Sequence, residues 1–360
     1  MMAQAPSGQP GTKLTLDARF VTLPVTVRDK KGQLVTSLTK DDFTLQEDGR
    51  PEAIKYFNLD KDLPITVGLL VDTSGSMRNA LDQERKASQN FFDQILTLPA
   101  DKAFLLHFDR EVELLQDVTS SKDKLHAALQ VLGPGEEDSP TGGGSQGAGS
   151  HDPDLGDPGA NSGRRRGGGT QLYDAVFLAA DELMKKQPGR KAIVLLSDGD
   201  DRGSKETLNE AIESAQRAET SVYTIYFKGE EGHRENQGGD HEHRRGGVGF
   251  PGGGGGGGWP GSGGGGKGGG GQRRQEEPRV DGKKIMQQIA DETGGRFFEA
   301  KKKENVDDIY KLIAEELRTQ YVLGYTPDKD SSMNGFHKIE LETNKKDLIV
   351  QTRPGYYADR

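Results

Sequence analysis

Ile65-Thr66-Val67-Gly68-Leu69-Leu70-Val71-Asp72, followed at once by Thr73-Ser74-Gly75-Ser76-Met77, decides how the rest of the chain is read. The first eight residues are almost wholly aliphatic and β-branched, the pattern of a strand covered on both faces inside a parallel sheet. The polar stretch behind it therefore sits at the carboxyl end of that strand, where open α/β sheets bind their ligands. Asp, Ser and Ser at alternate positions of a turn can converge on one point. They offer the hard oxygen atoms that Mg2+, Mn2+ and Ca2+ prefer over nitrogen or sulfur. The competing reading is that Asp72, Ser74 and Ser76 only cap the next helix, as short polar residues often do.

Working outward, helical and strand patterns alternate. Leu81, Ala87, Phe91, Ile95 and Leu98 recur at helical spacing between roughly Asn79 and Leu98. FLLHFD (104–109) predicts a strand and KDKLHAALQVL (122–132) a helix. TQLYDAVFLAADELMKK (170–186) predicts a helix, KAIVLLSD (191–198) a second buried strand, SKETLNEAIESAQRAE (204–219) a helix and SVYTIYF (221–227) a strand. A helix over Lys283–Asp291, a short strand around Arg296–Phe298 and an amphipathic helix from about Asn305 to Arg318 follow. This alternation predicts an α/β fold with a doubly wound, mostly parallel, Rossmann-like sheet.

Both flanks change period. FVTLPVTVRD (20–29) alternates apolar and polar residues, and FTLQEDGRPEAIKYF (43–57) repeats the arrangement about the turn EDGR. QYVLGYTP (320–327), FHKIELET (336–343) and LIVQTRPGYY (348–357) predict three more strands. Neither group closes a core alone, so the two are expected to pack as one β-sandwich interrupted by the α/β domain. The division is a flexible N-terminus at 1–13, a β segment at 14–60, the α/β domain at 63–319 and a second β segment at 320–360 packing on the first. Two Gly-rich tracts, 133–169 and 229–278, interrupt the α/β pattern. They hold too few apolar residues to offset their ordering entropy, which predicts loops without fixed structure. They also account for most of the 51 glycines among 360 residues and for the mean hydropathy of -0.76.

Composition excludes several functions. Lys and Arg number 48 against 57 Asp and Glu, a net charge of -9 that suits cation attraction and opposes the clustered basic face a nucleic acid requires. With no cysteine, disulfides, thiolate metal sites and cysteine nucleophiles are absent. No apolar run approaches the ~20 residues needed to cross a bilayer. Ala3-Gln4-Ala5 resembles the small-residue end of a removed signal peptide, so an extracytoplasmic, periplasmic or secreted location is expected, with a cytoplasmic one as the alternative.

Two fragments join the turn at Asp72. Thr170 precedes a helix and offers a hydroxyl, while Asp198 ends the strand VLLSD and offers a second carboxylate. DTSGS, GGGTQLYDA and VLLSDGDD, in that order and on those elements, resemble the metal-ion-dependent adhesion site (MIDAS) of von Willebrand factor A-type domains. The resemblance implies Ser74, Ser76 and Thr170 as hydroxyl ligands, with Asp72 and Asp198 as carboxylates acting directly or through water. It implies Mg2+, or Mn2+ or Ca2+, as the cation, and a partner protein presenting Asp or Glu. With two carboxylates, such a cation keeps positive charge and exchangeable waters for an incoming acid. FTLQEDGRPEAIKYF, DTSGSM, ELRTQYVLGYTP, FHKIELET and RPGYYA further resemble the VWFA-related family typical of acidobacterial proteins. Its members are generally exported, and the resemblance spans nearly the whole chain apart from the Gly-rich tracts.

Other signals read as background. The G-x-S-x-G letters at Gly143–Gly147 and the G-x-G-x-x-G matches between Gly252 and Gly271 lie in low complexity, without the strand and helix that give those motifs their mechanism. Asp198–Gly203 departs from a calcium loop, because Arg202 occupies a ligand position and Asn209 stands where a bidentate Glu belongs. Asp200 and Asp201 are expected to line the rim, and Asp174 to lie on a helix face or support the site. His233, Asp240, His241, Glu242 and His243 could chelate a transition metal only weakly without a rigid scaffold, and Trp259 stands alone among glycines. Three functions follow: a non-enzymatic metal-dependent binding module, a scaffold making contacts through its Gly-rich tracts, and a metal-assisted hydrolase. The hydrolase lacks a general base. His107, the nearest histidine to another strand end, fits a core or supporting role better.

Overall fold

The structure is a computed structural model, and it describes residues 20–59, 61–75, 77, 81–133, 169–228, 281–300, 306–327 and 335–358. The side chains of residues 81–83 are outside that description. The centre is a six-stranded sheet in which the decisive stretch is β5 (Ile65–Asp72), buried along its whole length. Beside it run β6 (Lys102–Phe108) on one side and β8 (Arg190–Ser197) on the other, both parallel to it. Outside β8 lie β9 (Ser221–Phe227) and β10 (Phe297–Ala300), again parallel.

Residues of β5 alternate between two cores, which is why its sequence has no polar face. Val67, Leu69 and Val71 pack beneath α1 (Leu81–Ile95), α2 (Lys122–Gln130) and α6 (Val306–Arg318) through Phe91, Phe92, Leu129, Ile309 and Ile313. Leu70 packs on the opposite side, with Phe104 and Ile193, against α3 (Leu172–Leu178), α4 (Leu208–Arg217) and α5 (Gly282–Thr293). This is the doubly wound arrangement expected.

The edge beyond β6 differs from the sequence pattern. Val112–Thr119 forms β7, antiparallel to β6 with two register shifts, and none of its residues is fully buried. It has no continuous apolar run because an edge strand of this kind has little to bury. The helix expected over 170–186 is also segmented. α3 gives way to five π-helical residues, Ala179–Leu183, and then to a 3-10 turn, Met184–Lys186.

The flanking strands form two four-stranded sheets around a shared core of Leu23, Val25, Leu45, Tyr321, Leu323, Tyr325 and Tyr356. One sheet has the order β13-β1-β11-β4, with β1 at Val21–Asp29, β4 at Tyr56–Leu59, β11 at Tyr321–Tyr325 and β13 at Leu348–Gln351. The other has the order β14-β12-β2-β3, with β2 at Phe43–Glu47, β3 at Arg50–Glu52, β12 at Gly335–Thr343 and β14 at Gly355–Ala358. LIVQTRPGYY, which reads as one strand, is two strands in different sheets. Pro354 has no N–H to give a ladder and stands at the corner between them.

Both chain crossings between the sandwich and the α/β sheet are tied by buried ions. Asp101 accepts the Ile65 amide where β5 begins (3.1 Å) and pairs with Arg318 where α6 ends. Glu316, on α6, bridges Arg28 of β1 and Arg296. Arg190 donates to the Leu317 and Gln320 carbonyls, each at 3.1 Å.

Candidate metal centre

The chain leaves β5 toward β6 on one side and reaches β8 on the other, so the connections diverge between β5 and β8 and open a crevice at their carboxyl ends. The register pairs Val71 with Leu196 and so sets Asp72 beside Ser197. Ser197 donates its hydroxyl to Asp72 Oδ2 at 2.7 Å, and the Ser74 amide donates to Asp72 Oδ1 at 2.9 Å. Ser197 Oγ in turn accepts the Gly199 amide at 2.9 Å. The end of β5 and the turn after β8 are thus one hydrogen-bonded unit. Gly199 is required there: its φ is +75°, and a side chain would run into the Gly282 carbonyl.

Asp72 is fully buried and Ser74 nearly so, whereas Asp198 is partly exposed. Burial pushes the Asp72 carboxyl up to about 6, and the Asp198 charge adds to the rise against hydrogen bonds from Ser74 and Ser197. Among the described residues, the groups around Asp72 are the Ser74 and Ser197 hydroxyls, the Ser74 amide and the Asp198 carboxylate. A divalent cation here would offset the two carboxylates, and the hydroxyl and carboxylate oxygens suit a hard one. The residues present fit the ion.

Thr73 faces the other way. Its amide donates to the Phe108 carbonyl at 3.0 Å, and its hydroxyl lies 3.2 Å from His107 Nδ1. His107 Nε2 lies 3.0 Å from Glu113 Oε2, directly across the β6–β7 pair. The Thr73 hydroxyl also lies 3.4 Å from the Phe108 carbonyl, so the β6 end holds Thr73 through both its backbone and its side chain. His107, itself buried, thus supports the turn from behind through Thr73.

Thr170 stands two residues before α3. Its carbonyl accepts the amides of Arg202 and Gly203, both at 3.1 Å, and the Gln171 amide donates to the Asp109 carbonyl at 2.9 Å. Gly169 lies so close to Arg202 that any side chain would collide with it. The α3 N-terminus is capped from a distance: Asp201 Oδ1 accepts the Leu172 and Tyr173 amides at 2.8 and 3.3 Å. Asp174 reciprocates by accepting the Lys205 and Glu206 amides, both at 2.9 Å. Asp174 therefore supports the loops, as its place on the helix face suggests. Asp201, by contrast, turns inward instead of lining the rim. Asp200 is exposed, its amide donates to Asp198 Oδ1 at 3.1 Å, and its carboxylate pairs with Arg202.

Ser76 lies outside the described residues, as do Ala3-Gln4-Ala5, most of the Gly-rich tracts, the 233–243 histidines and Trp259. Sequence reasoning missed Ser197, though its place beside Asp198 at a strand end marks it. It also missed Glu113, which only the β6–β7 register sets against His107. A further group escaped it in the sandwich, where His337 Nδ1 lies 2.9 Å from Asp48 Oδ2 and 3.6 Å from Glu47 Oε1. There the Tyr325 and Tyr356 hydroxyls donate to the buried Glu47 carboxylate at 2.5 and 3.2 Å. The cluster joins residues from β2, β11, β12 and β14, far apart in sequence, and no local motif announces it.

Residues 67–151 match the family model of the von Willebrand factor type A domain. No curated protein matches the chain by sequence. Among solved structures, proximal thread matrix protein 1 from the mussel byssus is 12% identical with a TM-score of 0.42. The match covers 72% of this chain and 49% of that one, so the chain spans about half the mussel protein's length. That protein has also been solved with a zinc-occupied MIDAS motif. An aerotolerance-related membrane protein from Bacteroides fragilis is 18% identical over 70% of this chain and 98% of its own, with a TM-score of 0.41. The vWF domain of the type V pili tip protein Mfa5 from Porphyromonas gingivalis is 13% identical over 70% and 94%, with a TM-score of 0.41.

Proposed function

We propose that Asp72, Ser74, Ser76, Thr170 and Asp198 hold a divalent cation, Mg2+ or else Mn2+ or Ca2+, that binds an acidic side chain of a partner protein, a reading supported by the match of residues 67–151 to the von Willebrand factor type A family model. The observation that carries this reading is Asp72: a carboxylate buried at the sheet's switch point, with hydroxyls, an amide and a second carboxylate around it among the described residues. In this reading the ion is held by two carboxylates, Asp72 and Asp198, and otherwise by hydroxyls. Once bound it retains positive charge, and water held at its open positions can give way to a carboxylate oxygen from outside. The hydrogen bonds from Ser197 and the Ser74 amide hold Asp72 in one orientation, while Asp201 and Asp174 hold the α3 and α4 loops around the opening. This is a site built for capture, and we assign the chain no catalytic step. An extracytoplasmic location suits it, since a partner-binding surface of this kind works between proteins or cells.

Calorimetric Mg2+ titration of wild type against the Asp72→Ala, Ser74→Ala double variant tests the assignment. Binding by wild type and its loss in the variant are expected. Equal binding by both would sink it.

A further inference from the structure

Asp198, Asp200 and Asp201, the three carboxyl residues that follow β8, have three different fates, and one of them exposes a cation. Asp198 faces the crevice, Asp201 is spent on the α3 N-terminus, and Asp200 holds Arg202 in a two-point pair, Nε to Oδ1 at 3.2 Å and Nη2 to Oδ2 at 2.8 Å. Both partners are open to solvent, with side chains 64% and 48% exposed. An exposed pair of this kind contributes little stability, so Asp200 can give up the guanidinium to another carboxylate at small cost.

Its position is fixed by backbone. The Arg202 amide is bonded to the Thr170 carbonyl and the Asp200 amide to the Asp198 carboxylate. The pair thus stands on the two loops that carry Thr170 and Asp198. The planar guanidinium is the group best matched to a carboxylate in two-point geometry.

We infer that Arg202 is a second anion-reading position beside the cation, and that the partner is an acidic segment with two carboxylates. One completes the cation's coordination, and the other displaces Asp200 from Arg202. The inference rests on the cation reading above and deepens it: a site with two positive centres separates a doubly acidic segment from a surface bearing one isolated Asp or Glu.

The test uses the full chain and two probe peptides, acetyl-Gly-Asp-Gly-Asp-Gly-amide and acetyl-Gly-Asp-Gly-Asn-Gly-amide. Each is titrated by NMR in Mg2+ and again in EDTA. In wild type with Mg2+ the first peptide is expected to bind about twofold more tightly than the second, because its pair with Arg202 replaces the Asp200 pair and only part of an exposed pair's worth remains. In Arg202→Gln that ratio falls to about one, and in Asp200→Asn, where the guanidinium is released, it rises. Equal Mg2+-dependent binding of both peptides by wild type, or a preference that persists in Arg202→Gln, overturns this inference while leaving the cation reading intact. Binding that EDTA does not weaken overturns both.

Discussion

Thr73 stands between two residues that face the crevice and itself faces away, so the orientation of the turn depends on what holds Thr73. That support is His107, held in turn by Glu113. Groups bonded directly to a metal ligand commonly alter affinity by ~10–100-fold, and His107 acts one residue further away, through the backbone between Asp72 and Ser74, which puts its effect at the low end. His107→Ala is expected to lower Mg2+ affinity about tenfold, read by calorimetry, and Glu113→Gln by less, since its side chain is 68% exposed. Unchanged affinity in His107→Ala would show that the hydrogen bond does not orient the turn. The places of Asp72 and Asp198 at strand ends and of Thr170 before a helix are legible in the sequence because each adjoins a strong local pattern, a buried strand or the start of a helix. The contact between Thr73 and His107 is not legible. It depends on the pairing of β5 with β6, and a one-residue slip would turn His107 to the opposite face.

At the level of elements, α1 and α6 meet through apolar contacts, through Asn90 donating to Asp307, and through a polar cluster at Glu84. Phe91 stacks on Tyr310 with centroids 4.7 Å apart, and beside them Glu84 accepts from the Tyr310 hydroxyl at 2.5 Å and the Ser88 hydroxyl at 3.0 Å. Burial pushes the Glu84 carboxyl up to about 7, from an ordinary 4.5, in spite of those two hydrogen bonds. Between these values the folded protein binds the proton more tightly than the unfolded chain does, so stability is fullest below about 4.5 and falls as pH rises through about 7. The loss is on the order of 3 kcal/mol. Glu84→Gln keeps an acceptor for both hydroxyls without the charge, and thermal melts should show it more stable than wild type at pH 8 and level with it near pH 4.5. A wild type whose melting temperature rises across that interval relative to the variant would contradict the assignment. These helices are legible because their apolar spacing spans several turns. Strand β7 and the π-helical residues are not, since one buries too little to show a period and the other keeps a helical pattern while changing its hydrogen bonds.

On the scale of the molecule, the strands before and after the α/β sheet are interleaved. β11 lies between β1 and β4, and β12 separates β14 from β2. Removing residues 320–360 therefore strands β1 and β4 without a shared neighbour and leaves β2 and β3 as a lone hairpin, too little sheet for independent stability. The truncated protein is expected to lose cooperative melting of its N-terminal strands, followed by hydrogen exchange at Leu23, Val25 and Leu45. Protection equal to the full chain would show that those strands hold together without the second group. Complementary amphipathic strands at both ends make a sandwich readable, but the strand order is not, because any of several pairings satisfies the same alternation. Interleaving also dictates a timetable. As the chain is made, β5 to β10 can collapse with their helices as soon as each appears, whereas β1 must wait for partners synthesised after the entire α/β domain. The sheet that carries the crevice is thus assembled first, and its frame closes around it afterwards. Until then β1 and β2 are open edges, and any chaperone or secretion factor that handles this protein meets them in that state.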